Sequence, residues 1–385
     1  MTTAHDPRYA RQLVLPEVGP RGQARLGGAH VLVVGAGGLG SPVAMYLAAA
    51  GVGHLTIADG DRVEETNLHR QVLFGEGDVG APKAEAAAGR LRAMNAGVRV
   101  DAVATQVDAA NARALVGAAD LVVDGSDNFA TRYLLSDACV LAGRPLVHGS
   151  VSRFDGQATL LVAGGGPCYR CLVPVPPAPG TVPSCAEAGV LGVLPGLVGV
   201  TQAAIVLQQL LGYGESLAGR LLLLEGRALR WTEVAVARDP RCPACGDART
   251  LAAIGDLPGG EARCDPAPGA APGAAPGAEA AEEIAPRDAA TRRASGWSPV
   301  LLDVREPWEW QLARLDDATL FPMSEIPSRR GELDPGAEYL VYCHHGVRSA
   351  AVAAWLRGQG YGRVTNLAGG IDRWSREVDP AVPRY

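Results

Sequence analysis

A glycine-rich turn followed by an acid, an amide and two cations is the first part of this 385-residue chain suited to chemistry. Gly35-Ala-Gly37-Gly38-Leu-Gly40 follows the apolar run 31–34 and leads into a helical pattern over 44–50. In a strand, turn and helix of this kind, phosphate oxygens can approach backbone N–H groups at the helix N-terminus. Asp59 ends the next apolar run, 54–58, at the spacing where a carboxylate meets a ribose hydroxyl. By themselves these features fit a nicotinamide dinucleotide as well as any other nucleotide. Asn67, Arg70 and Lys83 change that balance. A dinucleotide pyrophosphate already rests on the helix dipole, whereas ATP cleaved between its α and β phosphates releases a highly charged group that cations must absorb. Each cation alone reads as a solvated surface charge; the set predicts ATP-dependent adenylation.

The eight cysteines fall into different settings. Cys168-Tyr-Arg-Cys171 and Cys242-Pro-Ala-Cys245 are two CxxC pairs, a set suited to tetrahedral Zn2+, with redox disulfides or unpaired thiols as the competing readings. Cys343 ends the apolar run 339–342 and opens His344-His345-Gly-Val-Arg348-Ser349, before a helical pattern over 350–356. N–H groups converging at such a turn stabilise an anion on sulfur, either a thiolate or a persulfide. A phosphatase of the cysteine type has one more residue between its cysteine and arginine. The smaller cradle between Cys343 and Arg348 therefore favours sulfur over phosphate, the bland alternative being a buried thiol. Cys185, in Pro183-Ser-Cys185-Ala-Glu-Ala-Gly189, reads as a small buried hydrophobe or as a second thiol for the chemistry. Cys139 reads as core, and Cys264 has no evident role.

Strand-like runs alternating with helical patterns from 31 to 151 predict an α/β fold with a mostly parallel, Rossmann-like sheet. The later runs 157–162 and 221–224 are expected to add antiparallel strands. Asp127 follows the apolar run 121–123 and so projects at the carboxyl edge of that sheet, where ligands gather, unless it only caps the helix starting near Phe129. A net charge of −6 argues against nucleic-acid binding. Residues 188–214 carry no charge, yet Pro195, three glutamines and several glycines interrupt them, so a buried helix is expected rather than a membrane span. The polar first dozen residues lack an apolar signal core, which predicts a cytoplasmic protein. A run rich in Ala, Pro and Gly begins at Cys264 and reads as a flexible tether within a linker spanning 251–280.

Residues 5 to 248 resemble the MoeB/ThiF family, relatives of the enzymes that activate ubiquitin. The likeness rests on Arg8-Tyr-Ala-Arg11-Gln12, the glycine loop, the string Asp59-Gly-Asp61-Arg-Val-Glu-Glu-Thr-Asn67-Leu-His-Arg70-Gln71, Pro82-Lys83 and Asp124-Gly-Ser-Asp127-Asn128. The resemblance implies an adenylyltransferase domain over 1–250. Its nucleotide contacts would include Gly38, Asp59 on the ribose, Asn67, Arg70 and Lys83 on phosphates, and Asn128, with Asp127 on magnesium. Arg11 would serve the partner subunit's site in a homodimer. The zinc would be structural and pin a loop. Leu302-Asp303-Val-Arg305-Glu306-Pro-Trp-Glu309-Trp, the Cys343 loop and Asn366-Leu-Ala-Gly-Gly-Ile371 resemble a rhodanese domain over 281–385. The His-Ile-Pro-Gly turn of many rhodaneses is missing, Leu315-Asp-Asp-Ala318 standing in its place. Cys343 would carry a persulfide, with Arg348 in its cradle and Cys185 cleaving an acyl disulfide.

Together these resemblances imply that ATP activates the C-terminal Gly-Gly of a ubiquitin-like sulfur carrier, and that sulfur from a desulfurase or thiosulfate then gives its thiocarboxylate. Two other classes compete: a nicotinamide-dependent oxidoreductase fused to a sulfur-transfer domain, and a scaffold that binds a ubiquitin-like protein without chemistry.

Overall fold

Alternate residues of the first apolar run face opposite layers, as the two-residue period of a strand requires. Val31 and Val33 enter one hydrophobic cluster, whereas Leu32 and Val34 enter another on the other side of the sheet. In the computed structural model this run is strand β1, His30–Val34. The structure describes residues 6–162, 164–176, 189–258 and 282–384. The chain divides into two compact units, parted between residues 270 and 271.

In the first unit, β1 lies between β2 (His54–Ala58) and β4 (Leu121–Asp124), and all three run parallel. β3 (Arg99–Val103) and β5 (Leu146–Ser152) extend the parallel sheet on either side. The chain winds one way from β1 to β2 and β3, and the other way to β4 and β5. That reversal opens a crevice beyond the carboxyl ends of β1 and β4, where nucleotides bind in sheets of this type. The expected antiparallel strands follow as β6 (Asp155–Leu161) and β7 (Arg220–Glu225). An eighth strand, β8 (Arg230–Ala235), pairs with β7 and was not among the sequence expectations. All its residues are exposed at the sheet edge, so it has no buried face to leave an apolar run.

The helix Val193–Leu211 is, among the described residues, the one segment long and apolar enough to cross a membrane by length and composition. It packs on the sheet through Leu194, Val198, Ala203, Ile205 and Val206, which belong to the first unit's core. The sequence starts the linker at residue 251, but Leu251 is buried with Cys168, Cys242 and Ala244. Arg170 Nη1 donates to the Pro258 carbonyl at 2.8 Å, so the chain stays packed through that residue. Residues 259–280 of the expected tether lie outside the described residues.

The second unit is a five-stranded parallel sheet in the order β11, β10, β12, β13, β9. Its strands are β9 (Glu283–Ile284), β10 (Val300–Asp303), β11 (Ala318–Leu320), β12 (Tyr339–Tyr342) and β13 (Val364–Leu367). The central β12 is wholly buried, and Cys343 lies directly at its carboxyl end.

Candidate active sites and cysteine cluster

The glycine loop turns where side chains would collide. Gly35 has φ +89°, and a Cβ there would lie 2.7 Å from the Gly125 carbonyl oxygen. A Cβ on Gly40 would lie 1.7 Å from the Gly35 oxygen. These contacts bring the loop after β1 against the loop after β4, while the Gly125 N–H donates to the Val34 carbonyl at 2.8 Å. A Cβ on Gly38 would stand 3.0 Å from Pro195 Cβ and 3.5 Å from Arg70 Cγ, so Gly38, Arg70 and the helix Val193–Leu211 pack together.

The next strand supplies the acid. Asp59 Oδ2 accepts the Ala36 N–H at 2.7 Å and Oδ1 the Asp61 N–H at 2.8 Å. These two bonds aim the carboxylate at the glycine loop. Burial raises the Asp59 pKa above its ordinary value, against the pull of Lys83. Lys83 is itself buried and pairs with Asp61 at 2.9 Å. Arg70 donates to the Thr66 carbonyl at 3.0 Å and to Asn67 Oδ1 at 3.3 Å; Asn67 Oδ1 also accepts from Gln71 at 2.7 Å. His69 Nε2 lies 2.8 Å from Arg70 Nη1, and burial lowers the His69 pKa, which suits a neutral ring accepting that bond. Gly38 and Arg70 are thus neighbours, Arg70 bonds Asn67, and Asp59 faces the glycine loop within reach of the Lys83 charge, with both cations held by neutral or acidic partners.

Asp127 is exposed in the loop after β4, at the same carboxyl edge. The helix cap that the sequence allowed for Asp127 belongs to its neighbour: Asn128 Oδ1 accepts the Thr131 N–H at 2.8 Å at the start of the helix Phe129–Ala142. Arg11 is exposed on the short helix Ala10–Leu13. Its neighbour Gln12 is tied to Gln23 at 2.8 Å and to the Ala50 carbonyl at 3.1 Å. Ala50 ends the helix that starts beside the glycine loop, so ~15 Å of helix separates this anchor from the loop. Cys185 lies outside the described residues.

All four cysteines of the CxxC pairs converge. Cys168 and Cys242 sulfurs are 3.6 Å apart, those of Cys171 and Cys245 are 3.4 Å apart, and all four lie within 4.8 Å of one another. Tetrahedral Zn–S bonds place sulfurs about 3.8 Å apart, so this donor set fits zinc. Burial, with crowding by neighbouring thiols, pushes the Cys245 thiol up to about 12 and Cys168 higher. Burial also opposes charge on Cys242, but the N–H groups of Cys245 and Ala244 turn toward its sulfur and hold its pKa below the ordinary value. Such N–H donors are what a metal-bound thiolate requires.

In the second unit, Cys343 is buried under the turn that opens the helix Val347–Gly358. The Gly346 N–H donates to its sulfur at 3.1 Å, and the Ser349 hydroxyl approaches at 3.4 Å. Gly346 has φ +88°, and a Cβ there would lie 2.7 Å from the Gly369 nitrogen, so the cradle closes only around glycine. Arg348 forms a two-pronged pair with Glu309, both bonds 2.7 Å. Glu309 was not singled out from the sequence; its place in the string from Leu302 to Trp310 was the available signal. Arg305 and Asp303, both fully buried, form a second two-pronged pair. Burial lowers the His344 pKa to about 4, which leaves that ring neutral near pH 7.

Residues 9–244 match the model of the ThiF family, more than half the chain. This chain belongs to the ThiF family. Residues 286–377 match the rhodanese-like domain. The chain is 41% identical to the probable adenylyltransferase/sulfurtransferase MoeZ of Mycobacterium tuberculosis, over 98% of this chain and 95% of that protein. It is 40% identical to the adenylyltransferase and sulfurtransferase MOCS3 of Mus musculus, over 98% of this chain and 87% of that one. The sulfur carrier protein adenylyltransferase of Thermus thermophilus is 55% identical over 63% of this chain and 92% of its own length. Among solved structures, E. coli MccB is similar with a TM-score of 0.56 and 25% identity, over 64% of this chain and 74% of that chain. Like its full-length relatives, this ThiF-family chain is an enzyme that couples an adenylyltransferase to a sulfurtransferase.

Proposed function

We propose that this enzyme adenylates the C-terminal glycine of a ubiquitin-like sulfur-carrier protein and then converts that carboxylate into a thiocarboxylate. The observation that carries this reading is the presence, on one chain, of a ThiF-type nucleotide crevice and a cysteine sulfur cradled by N–H and O–H donors. A carboxylate is a poor electrophile. An oxygen of the carrier carboxylate attacks the α-phosphorus of ATP, the bond to the β-phosphate breaks, and pyrophosphate leaves. Asp59 holds the ribose, Gly38 and the loop amides face the phosphates, and Asn67 and Asn128 border them. Arg70 and Lys83 absorb the charge of the leaving group, moving from Thr66 and Asp61 toward the phosphates. Asp127 would hold magnesium, which supplies further positive charge at the phosphates.

The Cys343 persulfide then attacks the acyl carbon, AMP departs, and an acyl disulfide forms. Its terminal persulfide sulfur reached Cys343 earlier from a desulfurase or thiosulfate. We assign Cys185 the next attack, on Cys343 Sγ. That step releases the thiocarboxylate and leaves a Cys185–Cys343 disulfide, which a thiol reductant reopens. Arg348, fixed by Glu309, braces the turn that forms the cradle. The four-cysteine cluster holds a structural zinc; metal analysis giving about one zinc per chain checks this assignment.

The active unit is a homodimer, with Arg11 of each subunit completing its partner's crevice. Two observations support this: the length of helix between the Gln12 anchor and the glycine loop, and the exposure of Val14 and Leu15 beside Arg11. The test is subunit mixing. Arg11→Ala and Asp127→Ala should each lose ATP–pyrophosphate exchange by about a hundredfold or more. An equal mixture should recover about a quarter of the wild-type rate, because half the dimers gain one intact site. A mixture no more active than its components contradicts the shared site.

A further inference from the structure

A buried polar relay lies directly beneath the loop that carries Asp127. Asp124, the last residue of β4, is fully buried and shows no side chain to the crevice. One carboxylate oxygen, Oδ1, accepts the Ser126 N–H at 3.0 Å and the Ser126 hydroxyl at 2.6 Å. The other, Oδ2, lies 2.8 Å from Nδ1 of His148, whose side chain is also fully buried. Burial lowers the His148 pKa even though Asp124 favours the charged ring. With a neutral ring, Nδ1 donates to Asp124 and Nε2 accepts; Gln157 Nε2 stands 3.5 Å from that second nitrogen. The backbone of Asp124 is held as well, its carbonyl accepting from Gln202 Nε2 at 2.7 Å.

The far side of the relay is the first cysteine knuckle. Tyr169, between Cys168 and Cys171, is buried with its ring 5.0 Å from the His148 ring. The Tyr169 N–H donates to Ser136 Oγ at 3.1 Å, which fixes the knuckle against the helix that Asn128 caps. Tyr169, His148, Asp124 and Ser126 therefore form a continuous packed line from the cysteine cluster to the turn before Asp127. A buried carboxylate close to a phosphate site repels the ligand. It is retained where its geometry is needed, and here both oxygens hold or are held by the loop's own support.

We propose that His148 is a positioning residue for adenylation: through Asp124 and Ser126 it fixes the loop so that Asp127 meets the metal of bound Mg-ATP. This inference rests on the nucleotide site proposed above. Removing the ring's donor leaves an Asp124 oxygen buried without its partner, and its bonds to Ser126 shift and displace Asp127. Gly125 keeps its N–H bond to the Val34 carbonyl beside the glycine loop, and Asn128 keeps its helix cap. Binding that depends on Asp127 and the metal then weakens, while binding through Asp59 and the glycine loop does not.

The experiment is equilibrium binding of a fluorescent, non-hydrolysable ATP analogue to the full-length protein, with magnesium or with EDTA. His148→Leu fills the ring's volume without a donor, and His148→Asn restores a donor near Nδ1. Ser126→Ala cuts the same line from the loop side, and serves if His148→Leu does not fold. His148→Leu and Ser126→Ala should weaken binding about tenfold in magnesium and leave it unchanged in EDTA, with His148→Asn close to wild type. Equal weakening in both conditions, or no change in either, overturns the proposal. A wild-type protein that binds the analogue no better in magnesium than in EDTA contradicts the magnesium site itself.

Discussion

Asp127→Ala should lower ATP–pyrophosphate exchange by about a hundredfold or more while leaving the loading of Cys343 with sulfur unchanged. The size follows from where the residue sits. Asp127 is exposed at the carboxyl edge of β4, its neighbour Asn128 takes the helix cap, and Asp124 provides the internal bonds of the turn. Little structural work is left for Asp127, so its removal should cost metal-assisted charge stabilisation and little stability. Sulfur loading is assigned to Cys343 in the second unit, which has its own sheet and its own core clusters. Cyanolysis of the Cys343 persulfide in the variant measures that half directly. Loss of both activities would mean that the substitution acts through folding. Exchange that survives would remove Asp127 from the metal site.

Cys343→Ala gives the mirror image: exchange persists, and thiocarboxylate formation falls by at least about a thousandfold. Ordinary solution sulfide is a weak substitute for a persulfide delivered from a cradle. The Gly346 N–H at 3.1 Å and the Ser349 hydroxyl at 3.4 Å are arranged to stabilise negative charge on that sulfur, and alanine leaves them nothing to hold. The substitution removes one buried sulfur and should cost about 1–2 kcal/mol of stability at most. Single-turnover assays with a pre-adenylated carrier separate this step from adenylation. Sulfur transfer at the wild-type rate in this variant would move the sulfur site elsewhere.

The sequence disclosed what depends on local spacing. The runs that became β1, β2, β4 and β12 are apolar because both faces of those strands are covered, and the turns after them carry the reactive residues. The two CxxC pairs were legible because two cysteines three positions apart already form half a tetrahedral site. The pairs sit 74 residues apart in sequence, yet the fold brings their sulfurs within hydrogen-bonding distance. What sequence could not supply were contacts made across the fold. Glu309 meets Arg348 only because a helix beyond β10 packs beside the Cys343 turn. His148, flanked by an apolar residue and a glycine, has nothing around it in sequence to suggest Asp124 as a partner. β8 left no pattern because neither face is buried, and Leu251 looked like linker because it is a single apolar residue whose burial depends on the cluster that Cys168 and Cys242 form across the fold.

In the proposed mechanism, adenylation and sulfur transfer act in sequence on one carrier. The most direct measurement is the intact mass of a Gly-Gly-terminated ubiquitin-like carrier after incubation with the enzyme, Mg-ATP and thiosulfate, beside the Cys343→Ala variant. One carboxyl oxygen replaced by sulfur, in the wild type alone, is the predicted result. A carrier of unchanged mass, despite ATP–pyrophosphate exchange and a sulfur-loaded Cys343 in the same reaction, would contradict the coupling of the two sites.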